Sequence, residues 1–251
     1  MAEASGEAAL EPAFVLHSRA YRNTSLLLEL LTRGHGRIGL VARGARGPRS
    51  RTAGLLQPFQ PLAASWRARG ELGNLRQVEG AGRPLRLIGR RLVSGFYANE
   101  LLLRLLGRDD PHPGLFECYV GFLEALTAEA DEAVALRTFE RDLLALLGYG
   151  LALERDTDNH RLAPDQWYRY DPTRGAMAVG GPQAGGLVLS GRLLLALGED
   201  PISAETARQS RDLMRAALRP HIGDRPLKSR ELYARYPATG GHENGASSGQ
   251  S

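Results

Sequence analysis

Residues 25–51 read SLLLELLTRGHGRIGLVARGARGPRSR. The segment 25–32 is almost wholly apolar, and the segment 37–42 places Ile38, Leu40 and Ala42 on one face. Both patterns are typical of β-strands. A glycine-containing turn separates the two segments and predicts a β-hairpin. After residue 42, two glycines and a proline exclude a regular element, so the hairpin leads into a flexible loop.

The end of this stretch is strongly basic. Residues 37–51 contain no acid and five arginines: Arg37, Arg43, Arg46, Arg49 and Arg51. A guanidinium group can pair with two phosphate oxygens at once, so a loop carrying several of them can bind a polyanion. The alternative is a solvated surface loop in a protein that simply prefers arginine, because Lys228 is the only lysine in the chain.

The charge around the hairpin favours the first interpretation. The chain has a formal net charge of +4, but residues 15–93 contain fifteen arginines and only three acids. A field of one sign on one region provides the sequence-independent affinity of a nucleic-acid-binding protein. We therefore predict nucleic-acid contacts from Arg22, Arg33, His35, Arg37, Arg43, Arg46, Arg49, Arg51, Arg86, Arg90 and Arg91, with Trp66 as a stacking platform for a base.

Five short strands are predicted within residues 13–82, at 14–18, 25–32, 37–42, 55–66 and 74–79. Glycine turns join several of them, including one at 69–73. This number of strands in about 70 residues is typical of a small barrel, for which the oligonucleotide/oligosaccharide-binding (OB) fold is the best match. An SH3-like barrel has a similar strand count and stays an alternative.

The pattern becomes helical after this barrel. Residues 83–151 predict a helical domain with helices from residue 84, at 113–127 and at 131–147. Residues 152–190 are polar and irregular with one plausible hairpin, and 191–236 predict C-terminal helices that pack on the helical domain. Residues 1–12 and 237–251 are expected to be disordered tails. The fold class is α+β.

The sequence contains no recognisable catalytic or metal-binding constellation. The six histidines are not at ligand spacing with one another or with carboxylates, and Cys118 lies among apolar residues typical of a core. We predict no enzyme activity, no cofactor and no metal. With no apolar stretch of membrane-spanning length and an acidic start unlike a leader, the chain is expected to be cytoplasmic.

The order of several short motifs resembles RecO, the bacterial family of DNA repair and recombination-mediator proteins. These motifs are 25–27, 32–37, 41–46, 55–59, 70–72, 97–101, 146–150 and 227–230, which read SLL, TRGHGR, VARGAR, LLQPF, GEL, YANEL, LLGYG and LKSR. The resemblance covers about residues 13–236. It implies an N-terminal OB barrel, a helical domain and, in many members, a four-cysteine zinc site near the C-terminus. Residues 152–190 contain no cysteine, so that zinc site is not carried over.

The resemblance also implies function and partners. It implies a nucleoid-associated protein that binds single- and double-stranded DNA and anneals complementary strands without a nucleotide cofactor. The implied protein partners are RecR and the acidic C-terminal tail of the single-stranded DNA-binding protein, with which it helps to load the recombinase.

Two other functions stay open. The chain could be a protein-interaction module whose helical domain holds an acidic peptide tail, with Arg137 or Arg141 at the edge of a groove near the third helix. Ordinary packing between helices would explain the same apolar pattern. The chain could also be an RNA-binding OB-fold protein, which would prefer structured RNA over DNA.

Overall fold

A computed structural model describes residues 9–68, 72–128, 130–183, 185–223 and 225–236. Its first part is a closed barrel of five strands: β1 Glu11–Tyr21, β2 Ser25–Thr32, β3 Gly36–Ala42, β4 Leu62–Arg67 and β5 Gly73–Gly80. The strand order is β1-β2-β3-β5-β4, and all neighbours are antiparallel except the short parallel pairing of β3 with β5. This arrangement confirms the predicted OB-type barrel.

Strand β2 has the predicted limits and β3 begins one residue earlier than predicted, at Gly36. The limits of β2 were predictable because this strand is buried on both faces. Leu28 and Leu30 point into the barrel core, whereas Leu31 joins Phe14 and Leu16 in a second core shared with the helices. A strand buried on both sides reads as a continuous apolar run, as residues 25–32 do.

Other limits differ from the prediction. Strand β1 begins at Glu11, so residues 11 and 12 belong to the barrel rather than to the tail. Strand β4 begins at Leu62 rather than at residue 55, because Phe59 has a left-handed backbone (φ 63°) and two prolines flank it. The predicted turn at 69–73 lies partly outside the described residues, as do tail residues 1–8 and 237–251.

Seven helices follow in the described part of the chain: α1 Gly89–Leu105, α2 Leu115–Thr127, α3 Glu132–Leu146, α4 Gly191–Gly198, α5 Ala204–Gln209, α6 Arg211–Ile222 and α7 Lys228–Arg235. Helix α1 starts five residues later than predicted. The amide of Leu85 donates to the carbonyl of Phe59 (3.0 Å) and Leu87 is buried, so this segment lies extended on the barrel. None of the helices that the structure describes is long and apolar enough to cross a membrane.

Residues 152–190 form more than the predicted hairpin. Strands β6 Trp167–Asp171 and β7 Gly175–Val179 are the hairpin, and β8 Val188–Ser190 pairs with the other edge of β6. Tyr168 and Tyr170 from β6 are buried in the core shared with the helices. Their hydroxyl groups are satisfied by backbone, since Tyr168 accepts from the amide of Ala163 (2.9 Å) and Tyr170 donates to the carbonyl of Ala152 (3.2 Å). Aromatic packing thus stabilises this region.

Buried polar side chains join the barrel to the helices. Asn99 of α1 donates to the carbonyl of Leu16 in β1 (3.0 Å), and Tyr119 of α2 donates to the Asn99 side-chain oxygen (2.6 Å). Because all three groups are buried, losing one partner would leave a desolvated polar atom. The bonds therefore fix the orientation of the barrel on the helical domain.

Candidate nucleic-acid interface

The arginine loop, residues 43–51, is a series of turns anchored to the barrel. Gly44 has φ 68°, and its carbonyl accepts from the amide of Gly47 (3.0 Å). The amide of Arg46 donates to the carbonyl of Thr24 in the β1–β2 turn (2.8 Å). Between them, Ala45 is buried in the barrel core. The expected flexible loop is therefore held in one shape by backbone bonds and by the burial of Ala45.

The side chains of this loop point outward. Arg43, Arg46, Arg49 and Arg51 are all exposed. Among residues 9–68, 72–128, 130–183, 185–223 and 225–236, no acid pairs with them and no group accepts a hydrogen bond from them. Their backbone is fixed while their guanidinium groups are unengaged, which suits phosphate binding.

Arg22 and Arg86 are exposed in the same way. Arg22 lies in the β1–β2 turn that the Arg46 amide contacts, and its guanidinium carbon is 5.2 Å from the ring centroid of Tyr21. Arg86 lies on the extended segment before α1. Their exposure is compatible with the predicted nucleic-acid contact, which stays a prediction for both residues.

Arg37 is half-buried and engaged within the protein, so it is removed from the predicted set. Its Nε is 2.8 Å from the carboxylate of Glu29, and its Nη1 donates to the carbonyls of Leu103 (2.7 Å) and Leu106 (3.0 Å) at the end of α1. Arg108 pairs with the same carboxylate. Burial raises the pKa of Glu29, but the hydrogen bonds and charges of Arg108 and Arg37 outweigh it and hold the pKa below its ordinary value. These bonds connect the barrel to the end of α1 and therefore have a structural role.

Arg90 and Arg91 also differ from the prediction. Arg91 donates to the carbonyls of Leu126 (2.7 Å), Ala128 and Ala130 (2.8 Å), so it caps the C-terminal end of α2. Helix C-termini carry unpaired carbonyls and a partial negative charge that an arginine satisfies. Arg90 pairs with Glu132 (3.0 Å). Neither guanidinium group is available to DNA as the exposed loop arginines are.

Arg33, His35 and Trp66 have partners within the protein. Arg33 pairs at 2.9 Å with Glu117, and both side chains are exposed. The ring of His35 meets that of Trp66 edge to face with centroids 5.1 Å apart, and Trp66 packs against the barrel core. The stacking role predicted for Trp66 loses support, whereas the exposed Arg33 could exchange its surface ion pair for a phosphate at little cost.

The structure adds two arginines that sequence reasoning missed. Arg67 at the end of β4 and Arg76 in β5 line a cavity of about 410 Å³ together with Arg43, Ala68, Asn74 and Leu75. The excess of positive charge in residues 15–93 was the sequence signal for these arginines. Only the pairing of the strands shows which of them lie around the same cavity.

A second cavity, of about 360 Å³, lies between α1, α3, α6 and α7. Its apolar wall includes Leu136, Leu218 and Leu227, and four of its basic residues are Arg90, Arg211, Arg215 and Arg230. Arg137 also lines it but is buried and paired with Glu140 at 2.9 Å. Burial raises the pKa of Glu140, although the charge of Arg137 opposes this.

Arg141, the other residue predicted for peptide binding, lies outside this cavity. It donates to the carbonyls of Leu197 (3.2 Å) and Glu199 (2.7 Å) at the end of α4 and pairs with Asp142. Its contacts serve the packing of α4 on α3.

One group of side chains corrects the prediction that no histidine lies at ligand distance from carboxylates. Asp156, Asp158 and His160 bring potential ligand atoms within 4.8 Å of one another. An Asp156 carboxylate oxygen already accepts from the amides of Asp158 (3.0 Å) and His160 (2.9 Å). The turn is therefore explained by the hydrogen bonds of Asp156 to its own backbone.

The barrel topology, the basic loop and the fused helical domain define an OB-fold protein with an exposed surface of unpaired arginines. Family models described as Recombination protein O N terminal and Recombination protein O C terminal match residues 8–83 and 88–231. The chain belongs to the RecO family.

Relatives are similar over nearly their whole length. A protein named DNA repair protein RecO from Alkalilimnicola ehrlichii is 48% identical over 239 residues, which are 94% of this chain and 95% of that one. One of the same name from Coxiella burnetii is 48% identical, covering 89% of this chain and 97% of its own. For a third, from Burkholderia pseudomallei, the identity is 44% and the coverage is 88% and 82%.

Proposed function

We propose that this protein is a DNA repair and recombination mediator that binds single- and double-stranded DNA through the arginine loop and anneals complementary strands. Family membership supports a role in DNA repair. The observation that carries the DNA contact is the set of four exposed, unengaged arginines on an anchored loop.

Annealing follows from the same geometry. Two strands repel each other through their phosphates, and arginines that pair with phosphate lower this repulsion. The loop contacts the sugar–phosphate backbone of the DNA and leaves the base edges free, so bound strands can still pair with each other. No nucleotide needs to be hydrolysed in this scheme, because pairing of the bases is itself favourable.

The test replaces all four loop arginines, Arg43, Arg46, Arg49 and Arg51, by alanine. We expect affinity for single strands and duplexes to fall by at least about tenfold, since each exposed charge pair contributes up to about 1 kcal/mol. The annealing rate of two labelled complementary strands should fall with it. Binding is measured by fluorescence anisotropy.

The matched control removes the same charge elsewhere. Arg155, Arg161, Arg174 and Arg192 are exposed in the C-terminal part of the chain. Their replacement by alanine should change affinity much less, because the loop is unaltered. It also removes the hydrogen bond of Arg155 to Asn159 (2.8 Å) and the ion pair of Arg192 with Asp165 (2.7 Å), so the thermal midpoint of this variant is measured alongside. Equal losses in the two quadruple variants would reject the loop as the contact.

Tighter binding of structured RNA than of DNA in a competition would instead favour the RNA-binding alternative.

The cavity between α1, α3, α6 and α7 supports a second function, the binding of an acidic peptide tail. An apolar wall surrounded by arginines suits a peptide that ends in an apolar residue and a carboxylate. In the family this fits the tail of the single-stranded DNA-binding protein. Arg137 is buried against Glu140, whereas Arg211 and Arg215 are exposed and only share long contacts with Asp212 (3.7 and 3.8 Å), so they and the exposed Arg230 are the better partners for the peptide carboxylates.

A labelled acidic peptide of this type tests the second function. Replacing Arg211 and Arg215 by alanine should weaken its binding at least about fivefold. The control is Arg208→Ala, which should have little effect on peptide affinity. Arg208 is exposed, pairs with Asp131 and does not line the cavity. Absence of saturable binding to the unaltered protein would reject the peptide site.

Family membership extends the proposal to two further roles. This protein would act together with RecR, and it would help to load the recombinase onto single-stranded DNA. A reconstituted loading assay on single strands coated with the single-stranded DNA-binding protein measures both. Loading that is equally fast with and without this protein would reject the mediator role while leaving DNA binding intact.

A further inference from the structure

We propose that the cavity lined by Arg43, Arg67 and Arg76 is a site for the terminal phosphomonoester of a DNA strand. The inference rests on the proposed DNA-binding function and adds a specificity for strand ends. It differs from contact with the internal backbone, which the rest of the arginine loop provides.

Strand pairing brings the three arginines together from three segments. Asn74 at the start of β5 is paired with Val41 of β3 on one side and with Arg67 of β4 on the other. Arg43 follows directly after β3, and Arg76 lies two residues after Asn74, on the same face of β5. Three arginines and one asparagine therefore line a single concave space.

Charge selects the ligand. The described residues that line the cavity include no acid, and the three guanidinium groups have no ion pair or hydrogen bond to any described residue. An internal phosphodiester carries one negative charge, whereas a terminal phosphomonoester carries about 1.5 to 2 near neutral pH and has a third free oxygen. A cavity lined by three arginines and no described acid favours the monoester.

Shape agrees with this ligand. A volume of about 410 Å³ is within the range of cavities that hold small ligands, so a terminal nucleotide fits. Leu75 lies on the other face of β5 and packs against the barrel core, so Asn74 supplies the neutral hydrogen-bonding group of the site. A continuous backbone would have to enter and leave the cavity, whereas a strand end only has to enter.

The experiment measures binding of one single-stranded oligonucleotide in three forms: with a 5′-phosphate, with a 3′-phosphate and with hydroxyl groups at both ends. We expect one phosphorylated form to bind about fivefold more tightly than the hydroxyl form, since an exposed ion pair contributes up to about this factor. A longer hydroxyl-ended strand with the same total charge controls for charge alone and should not reproduce the gain.

Two double variants with equal loss of charge locate the effect. Replacing Arg67 and Arg76 by alanine should abolish the preference for a phosphorylated end. Replacing Arg49 and Arg51 by alanine should lower affinity for every strand and leave the ratio near fivefold. All four side chains are exposed, and unchanged thermal midpoints will confirm that both variants fold.

The outcomes separate this inference from the function on which it rests. Equal affinity for all ends, or a preference that survives in the Arg67 and Arg76 variant, overturns the end site while DNA binding stands. Failure of the unaltered protein to bind any strand overturns the proposed function as well. Competition by a free deoxynucleoside monophosphate without any preference among strand ends would show a mononucleotide pocket and also overturn the proposal.

Discussion

The ion pairs of Glu29 with Arg37 and Arg108 should be a main source of stability at the junction of barrel and helices. The perturbation is Glu29→Gln, which keeps the shape of the side chain and removes its charge. Two guanidinium groups would then face each other across a neutral amide. Arg37 also donates to the carbonyls of Leu103 and Leu106, so the change reaches the end of α1.

The structure sets the size of the effect. Removing one partner of a fully buried ion pair costs about 3–5 kcal/mol. The side chain of Glu29 is 11% exposed, but those of Arg37 and Arg108 are 18% and 33% exposed, so solvent screens part of the pairing. The amide can still accept one hydrogen bond. We expect a loss of about 2 kcal/mol, or about 4–8 °C in Tm for a chain of this length.

The pH dependence of this loss is a second test. The pKa of Glu29 is lowered in the folded protein, so its contribution to stability is present above the ordinary carboxyl pKa, 4.5, and is lost as pH falls through the folded pKa. The difference in Tm between the two proteins should therefore be largest near pH 7 and shrink below pH 4.5.

Thermal unfolding followed by circular dichroism between pH 3 and 8 is the assay. The control is Glu117→Gln, because Glu117 pairs with Arg33 in an exposed position and should contribute at most about 1 kcal/mol. Equal midpoints for Glu29→Gln and the unaltered protein at pH 7, or a difference that does not depend on pH, would refute this reasoning.

Two further predictions concern α7 and the single cysteine. Glu100 accepts from the amides of Lys228 (2.9 Å) and Ser229 (3.0 Å) at the start of α7, and although burial raises its pKa, these bonds keep it below the ordinary value. Glu100→Gln should therefore increase cleavage near residue 228 in limited proteolysis at pH 7, and cleavage equal to that of the unaltered protein would contradict the cap. Burial, with a smaller contribution from the charge of Asp142, raises the pKa of Cys118 to about 12, so this thiol should react with a disulfide reagent at pH 8 far more slowly in the folded protein than after unfolding. Similar rates in the two states would contradict the burial.

The barrel was predictable because its determinants are local. An apolar run, a glycine turn and an alternating strand define the β2–β3 hairpin within 18 residues, and tertiary contacts reinforce the same pairing. The start of α1 was not predictable in this way. Pro84 suits a first helical turn, but a backbone bond between Leu85 and Phe59, 26 residues apart, keeps that segment extended.

The site was predictable as a region and less so by residue. Arg43, Arg46, Arg49 and Arg51 are exposed as expected, whereas Arg37 and Arg91 use their charge inside the protein. The hairpin register places Arg37 opposite Leu31, which lies two residues from Glu29 and on the same face of β2. The ion pair between Arg37 and Glu29 therefore had a local signal in the sequence. The carbonyls that Arg91 caps are at least 35 residues away in sequence, and no local pattern identifies them.

The motifs shared with the RecO family are explained mostly by structure. Within residues 97–101, Asn99 links α1 to the barrel and Glu100 caps α7, while Tyr97 donates to Glu140 (2.5 Å) beside the cavity between α1, α3, α6 and α7. Among the described residues of these motifs, exposed charge without an ion pair or side-chain hydrogen bond lies in the segment 41–46 and, at Lys228 and Arg230, in the segment 227–230. A resemblance carried by such motifs therefore indicates the fold more directly than the DNA contacts.

The salt dependence of duplex binding tests the central claim most directly, because it counts phosphate contacts. If the four loop arginines and Arg22 each neutralise one phosphate, the slope of log affinity against log salt should be about −4.5 for the unaltered protein. It should flatten to about −1 when Arg43, Arg46, Arg49 and Arg51 are replaced by alanine, and should stay steep in the quadruple control variant of the C-terminal region. A loop variant that keeps the slope of the unaltered protein would contradict the account.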